Sequence, residues 1–322
     1  MRAALSSVRS WLGRPERGDA RGEGVRAGRV TFAGIAAPPA EAAPIDRPGE
    51  MIRAARVTFE PPRREPEPRW AEAKLRVLAS LWGEGFLGPG GAGEVLLLAK
   101  PLGLNGSHSV LQLGAGLGGP ARALALEWGA WVTGLEPDAE LAALGAALSA
   151  KVKLEKKAEV LPLDPGRPAI RAGYFHHALS LETFWRLPDK ATVASALVSG
   201  VKPQGQLVLT ELVLGEVSPS AEKAFAAWSR LESVTPFLTG ERTLTTLFGR
   251  HGLDIRIVED ITARHVSQTL SAWASFVQEL RRDRPAAAFA ARIVDEAERC
   301  MRRVDLMRSG RLRLVRWHAI RR

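Results

Sequence analysis

The chain has 322 residues, 46% hydrophobic and 25% charged, which are globular proportions and exclude a wholly disordered, collagen-like or coiled-coil protein. No run approaches the ~18 uninterrupted apolar residues of a membrane helix. The one cysteine, Cys300, excludes an intramolecular disulfide or a CxxC zinc site and suits a reducing cytoplasm. The net charge of +10 divides as +3 over residues 1–68, −1 over 69–280 and +8 over 281–322. With a neutral centre, the terminal basicity reads as solvated faces and not as a nucleic-acid footprint. The six histidines (His108, His176, His177, His251, His265, His318) show no metal-ligand spacing.

Residues 1–68 read as a tail, holding 9 of the 21 prolines and few periodic apolar positions, too little to offset ordering entropy. Residues 1–12 are weakly amphipathic, but Glu16, Asp19 and Glu23 interrupt them and no signal-peptide apolar core follows. Within the tail, Val25-Arg26-Ala27-Gly28-Arg29-Val30-Thr31-Phe32 recurs as Ile52-Arg53-Ala54-Ala55-Arg56-Val57-Thr58-Phe59. Both copies are β-prone and suit addition to a sheet edge, of this domain or of a protein partner, with local duplication in a linker as the alternative.

A domain over 69–322 opens with a helical pattern at Trp70, Leu75, Leu78 and Leu81. Residues 110–113 form a short strand entering glycines, 119–128 a helix and 131–135 a second strand. Residues 178–181 end a fourth strand, 206–212 form a fifth, and 253–258 and 312–317 two more, separated by long helices. Such alternation predicts a parallel sheet covered on both faces. The helix at 286–308 carries one core stripe, Phe289, Ile293, Ala297, Cys300, Val304 and Met307, with Gly310 as its C-cap. Its arginines, Arg292, Arg299, Arg302, Arg303 and Arg308, mostly occupy its other faces.

Gln112-Leu113-Gly114-Ala115-Gly116-Leu117-Gly118-Gly119 is the end of a strand running into a glycine turn that opens a helix. Glycine is needed where the turn uses dihedrals a Cβ forbids and where a ligand approaches the backbone. Glu136, 17 residues beyond Gly119 at the tip of the next strand, is placed to accept both hydroxyls of an adenosine ribose. Strand, turn, helix and acid together point to an adenosine-containing cofactor.

From Trp82 to Trp317 the chain resembles the class I S-adenosylmethionine-dependent methyltransferases. VLQLGAGLGG is similar to their first motif, VTGLEPD to their second strand with its ribose acid, and VKPQGQLVLTEL to their fifth strand. HGLDIRIVEDIT resembles their sixth strand and GRLRLVRWHAI their antiparallel last one. LWGEGFLGPGG and SLETFWRLPDK resemble the branch of phosphoethanolamine and sarcosine N-methyltransferases. The resemblance implies an α/β, Rossmann-like doubly wound sheet of about seven strands with an antiparallel last strand and helices on both faces. It implies S-adenosylmethionine as cofactor and a small-molecule acceptor, an amine by preference. Gly114, Ala115, Gly116, Gly118, Gly119, Glu136, Pro137 and Gln112 would then line the cofactor site.

Glu182, His177 and His176 bracket the fourth strand and are the candidates for accepting a proton from the acceptor. Only one of the two histidines can face the crevice, because strand side chains alternate. Trp82 and Phe86 are candidates to cover the cofactor or box an amine, and residues 218–240, with Trp228 and Phe237, to form a substrate lid. The chain also departs from the family: Gln112 replaces an aspartate, the adenine-side acid is expected near Lys157, and Arg186 aligns with a histidine. An alternative reading is a core that has lost catalysis and docks a partner through its tail.

Overall fold

In this computed structural model the described residues are 69–322 except 216–220, 233 and 283–284. The tail, both Arg-Val-Thr-Phe copies (25–32 and 52–59) and the opening of the 218–240 segment lie outside them. The described chain folds in the order α1 (Glu72–Trp82), α2 (Gly91–Ala99), β1 (Ser109–Leu113), α3 (Gly119–Trp128), β2 (Trp131–Glu136), α4 (Ala139–Lys151), β3 (Ala158–Pro162) and β4 (His177–Leu181). It continues through α5 (Lys190–Gly200), β5 (Gln206–Leu214), α6 (Ala221–Ser229), α7 (Glu241–Arg250), β6 (Leu253–Asp260), α8 (Thr262–Leu280), α9 (Ala287–Arg308) and β7 (Leu312–Arg321). Two single 3₁₀ turns, Lys100–Leu102 and Phe184–Arg186, follow α2 and β4.

The strands form one sheet in the order β3-β2-β1-β4-β5-β7-β6. The first five pair in parallel, while β7 runs antiparallel to both β5 and β6. Sheets covered on both faces need near-continuous apolar strands, which is why β1 and β5 carry so few polar residues. Alternation along β1, β5 and β7 divides them between two cores. Val110, Val208 and Leu314 meet Leu98, Leu124 and Leu306 of α2, α3 and α9 on one face. Leu111, Leu113, Leu209, Val315 and Trp317 meet Val193, Leu197, Leu244 and Phe248 of α5 and α7 on the other. Trp317 and Phe248 are fully buried, with ring centroids 5.7 Å apart, and residues of this size contribute roughly 1.5–3 kcal/mol each by burial. Asp138 and Asp189 cap α4 and α5, each accepting two amide hydrogen bonds.

A third core joins α1, α8 and α9 through Val77, Leu81, Trp273, Phe276, Ile293, Ala297 and Cys300. Of the apolar stripe expected on α9, Ile293, Ala297 and Cys300 are buried there, Phe289 packs partly buried against them, and Met307 joins the first core; Gly310, at φ +71°, follows the C-cap. The arginines of α9 are not all on solvated faces as expected. The side chains of Arg299 and Arg303 are only 15% and 14% exposed, because a second face of this 22-residue helix turns inward onto carboxylates.

Candidate functional site

The chain order reverses between β1 and β4, so a crevice opens beyond their carboxyl ends, where ligands of open α/β sheets bind. The glycine turn leaves β1 there. Gly114 sits at φ +74°, and a Cβ on it would collide with Thr183 Oγ1 and the Leu181 carbonyl. The Gly114 and Ala115 amides donate to the Leu135 carbonyl at 2.9 and 3.1 Å, locking the turn to the end of β2. Gly119 opens α3 and donates to the Gly85 carbonyl at 3.0 Å, drawing the segment between α1 and α2 over the turn.

Glu136, fully buried at the tip of β2, completes this arrangement. One carboxylate oxygen accepts the Gly116 amide at 2.7 Å and the other the Asp138 amide at 3.1 Å. Arg186 Nη1 stands 3.5 Å from the second oxygen. A carboxylate offers about four acceptor positions, so this residue holds the turn and keeps lone pairs for a ligand. Gln112 donates Nε2 to the Gly114 carbonyl at 2.9 Å, while its buried Oε1 has no partner among the described residues.

A cavity of about 210 Å³ extends from the turn, walled by Glu136, Glu182, Trp185, Arg186, Glu232, His265 and Arg303 among others. Glu182, Trp185 and Arg186 of the five-residue run after β4 line it. Glu211 of β5, fully buried, accepts the amides of Thr183, Phe184 and Trp185 at 2.6, 2.9 and 3.1 Å, which fixes that run. Burial pushes the Glu211 carboxyl up to about 8, against the pull of those three amides.

An ion lattice forms the opposite wall. Arg303 donates to Glu182 at 3.1 Å and to Glu232 at 2.9 Å, and Arg299 donates to Glu232 at 3.1 Å and also pairs with Glu296. Burial alone would raise the Glu232 carboxyl, but Arg303 and Arg299 outweigh it and hold it down to about 2. The Arg303 guanidinium also lies 5.7 and 5.8 Å from the ring centroids of Trp185 and Trp228. Glu94 of α2 is clasped by Arg264 and Gln268 of α8 at 2.9 and 2.7 Å.

Gly114, Ala115, Gly116, Glu136 and Glu182 are thus brought together around one cavity, whereas His176 and His177 are not. The histidines stand at the amino end of β4, away from the crevice, and their partners are structural. His176 Nδ1 accepts the Ser109 amide at 3.0 Å, and His177 Nδ1 the Gln206 amide at 3.2 Å. Burial, with His108 and His176 nearby, pushes the His177 imidazole down to about 4. Lys157 likewise precedes β3 on the far side, while Leu163 and Asp164 follow it at the crevice end, which corrects the register expected for an adenine-side acid. Phe86 lines the cavity, but Trp82 belongs to the third core. From the 218–240 segment, Glu232 and Val234 reach the cavity wall, Trp228 is buried and Phe237 is 39% exposed.

The sheet order, the antiparallel β7 and the glycine turn facing an acid at the switch point are the fold of the S-adenosylmethionine-dependent methyltransferases. No protein-family model matches the chain. Among curated proteins, phosphoethanolamine N-methyltransferase 2 of Caenorhabditis elegans is 25% identical over 131 residues, 40% of this chain and 30% of that one. Among solved structures, phosphoethanolamine N-methyltransferase 2 of Haemonchus contortus, in complex with S-adenosyl-L-methionine, superposes with a TM-score of 0.67 at 20% identity. The match covers 79% of this chain and 58% of that one. Geranyl diphosphate C-methyltransferase from Streptomyces coelicolor A3(2), with S-adenosyl-L-homocysteine bound, gives 0.53 at 16% identity over 71% and 80%. The [4+2]-cyclase SpnF gives 0.59 at 17% identity, over 77% of this chain and 93% of that one. The chain therefore spans less than a third of the curated relative's length and under three fifths of the Haemonchus enzyme's. No described helix is long and apolar enough to cross a membrane.

Proposed function

We propose that this chain is an S-adenosylmethionine-dependent methyltransferase with a small amine as acceptor. The observation that carries the reading is Glu136, whose carboxylate braces the glycine turn and still opens onto the cavity. The cradle fits an adenosine group: Gly114 packs its turn directly against Thr183 and Leu181 with no room for a side chain, and Glu136 keeps acceptor positions for a ribose diol. In this reading Gly114, Ala115, Gly116, Gly118 and Gly119 shape the cradle above Gln112, Glu136 takes the ribose, and Pro137 and Asp164 flank the adenine. When bound, the cofactor supplies a methyl group activated on a positively charged sulfur.

The chain's own task is alignment and exclusion of water, for which proximity supplies roughly 7–11 kcal/mol. The segment carrying Phe86 and Leu87 covers the turn, and Glu232 and Val234 line the acceptor side. The cavity wall mixes Glu94, Glu182 and Glu232 with Arg299, Arg303 and Lys74, which supports an acceptor bearing both an ammonium and an anionic end. The Haemonchus protein, crystallised with phosphomonomethylethanolamine, provides a precedent for that pairing. The single cysteine is consistent with a cytoplasmic setting.

Calorimetric titration of S-adenosylhomocysteine into the parent and a Glu136→Ala variant tests the reading. Binding at about micromolar Kd or tighter is expected in the parent. Loss of the ribose hydrogen bonds would weaken it by ~1.5–3 kcal/mol, ten- to over a hundredfold. Equal affinity in the two proteins, or none in either, refutes the assignment. A second reading, cofactor binding without turnover, is favoured by the engagement of Glu182 with Arg303, which leaves that carboxylate committed. Binding without transfer to any of a broad amine panel would select it.

A further inference from the structure

His265 lies at the first turn of α8, 7% exposed, and lines the same cavity as Glu136 and Glu182. Its backbone is fully engaged: the amide donates to the Ile261 carbonyl at 3.1 Å and the carbonyl accepts Thr269 Oγ1 at 2.8 Å. Its ring makes no hydrogen bond to any described residue. Buried polar groups are ordinarily paired, so an imidazole that opens on a cavity instead of a partner is available to a ligand.

The charged groups acting on it come from three neighbouring segments, Glu182 from the run after β4, Glu94 from α2, and Arg299 and Arg303 from α9, and Glu232 and Lys74 line the same cavity. The carboxylates among them are already committed, Glu182 to Arg303, Glu94 to Arg264 and Gln268, and Glu232 to both α9 arginines. A carboxylate held near 2, as Glu232 is, takes no proton near neutral pH. Burial, reinforced by Arg303 and Arg299 and opposed by Glu182 and Glu94, lowers the His265 imidazole below its usual value, so the ring is neutral there. Neutral, unpartnered and facing the cavity, it is the group equipped to take a proton.

We propose that His265 is the proton acceptor for the methyl-accepting amine, an inference that rests on the methyltransferase reading above. An N–H bond of the acceptor ammonium breaks and its electron pair stays on nitrogen as the attacking lone pair. The proton bonds to a ring nitrogen of His265 and passes to solvent when the cavity opens. Glu182 and Glu94 stabilise the transient imidazolium. This gives His265 the role the sequence offered to His176 and His177.

The test uses the full chain with ¹³C-labelled histidine, saturated with S-adenosylhomocysteine and titrated from pH 5 to 8, with phosphoethanolamine and ethanolamine as probe amines. One ring signal, identified by its absence in His265→Asn, is expected to titrate below the usual ~6.5. One of the amines is expected to move it by about 0.5 pH unit or more while the other histidines hold. In turnover of that amine, His265→Asn is expected to lower kcat by ~10²–10⁴-fold and to erase the acid limb of the pH profile. Its S-adenosylhomocysteine affinity should stay within about twofold of the parent, because the ring is assigned no cofactor contact. A signal unmoved by both amines, or an acid limb that survives in His265→Asn, overturns the inference alone. Absence of S-adenosylhomocysteine binding in the parent overturns the methyltransferase reading, and the inference with it.

Discussion

Replacing Glu232 with glutamine should destabilise the protein at neutral pH far more than at pH 3, and the structure gives the size of the difference. The carboxylate is 6% exposed and accepts Trp228 Nε1 at 2.7 Å, Arg303 at 2.9 Å and Arg299 at 3.1 Å. Its folded pKa of about 2 lies below the usual 4.5. That gap, at ~1.36 kcal/mol per pH unit, amounts to roughly 3 kcal/mol. Because the folded value is depressed, the contribution is complete above 4.5 and is lost as pH falls towards 2. About 2 kcal/mol should be gone by pH 3. Breaking a buried pair by removing one charge costs about 3–5 kcal/mol, in agreement with that figure. Urea unfolding followed by tryptophan fluorescence, for parent and Glu232→Gln at pH 7 and pH 3, measures the difference directly. A stability gap of the same size at both pH values would show that the two arginines do not hold this carboxylate ionised.

Three further outcomes follow from contacts elsewhere in the fold. Glu211→Ala leaves three buried amides without an acceptor and should lower unfolding free energy by about 3 kcal/mol or more in urea. Since burial raises the Glu211 pKa from 4.5 to about 8, its proton-linked contribution is complete below 4.5 and declines as pH rises through about 8. Glu211→Gln should flatten that decline. The double variant His176→Ala, His177→Ala should lose about 1–2 kcal/mol of stability, because the Ser109 and Gln206 amides lose their acceptors. Its S-adenosylhomocysteine affinity should match the parent's by calorimetry, which is the opposite of what a catalytic histidine pair next to the cofactor would give.

The sheet was legible because its evidence is local. Apolar runs such as 110–113 and 206–212 are long enough to be strands, and an acid seventeen residues beyond a glycine turn has few other structural uses. Charge assignments on α9 failed for a physical reason. Helical periodicity treats every arginine as solvated, yet Arg299 and Arg303 are spaced one turn apart and meet Glu232 and Glu182, which arrive from distant points of the chain. His265 was read only as one of six histidines without metal-ligand spacing; it falls on the buried stripe Thr269, Trp273, Phe276 and Leu280, and such a stripe cannot say whether a ring meets a partner or a cavity. The histidine pair stands at the strand entrance where the sequence put it, and only its partners were hidden, whereas for Lys157 the uncertainty was which end of a strand it occupies. Sequence places residues on a strand more readily than it fixes where the strand starts.

The run from Glu182 to Arg186 has a consequence for how this chain can change over evolutionary time. Its five residues face four ways: Glu182 to α9, the next three amides to Glu211, the Trp185 ring towards Trp228, and Arg186 to Glu136. Glu182 itself adopts φ +45°, the left-handed region that non-glycine residues rarely enter. An inserted or deleted residue would misdirect every side chain beyond it and break contacts on both walls of the cavity at once. Length variation among descendants of this sequence should therefore spare these five positions, while single substitutions within them remain open to selection one wall at a time.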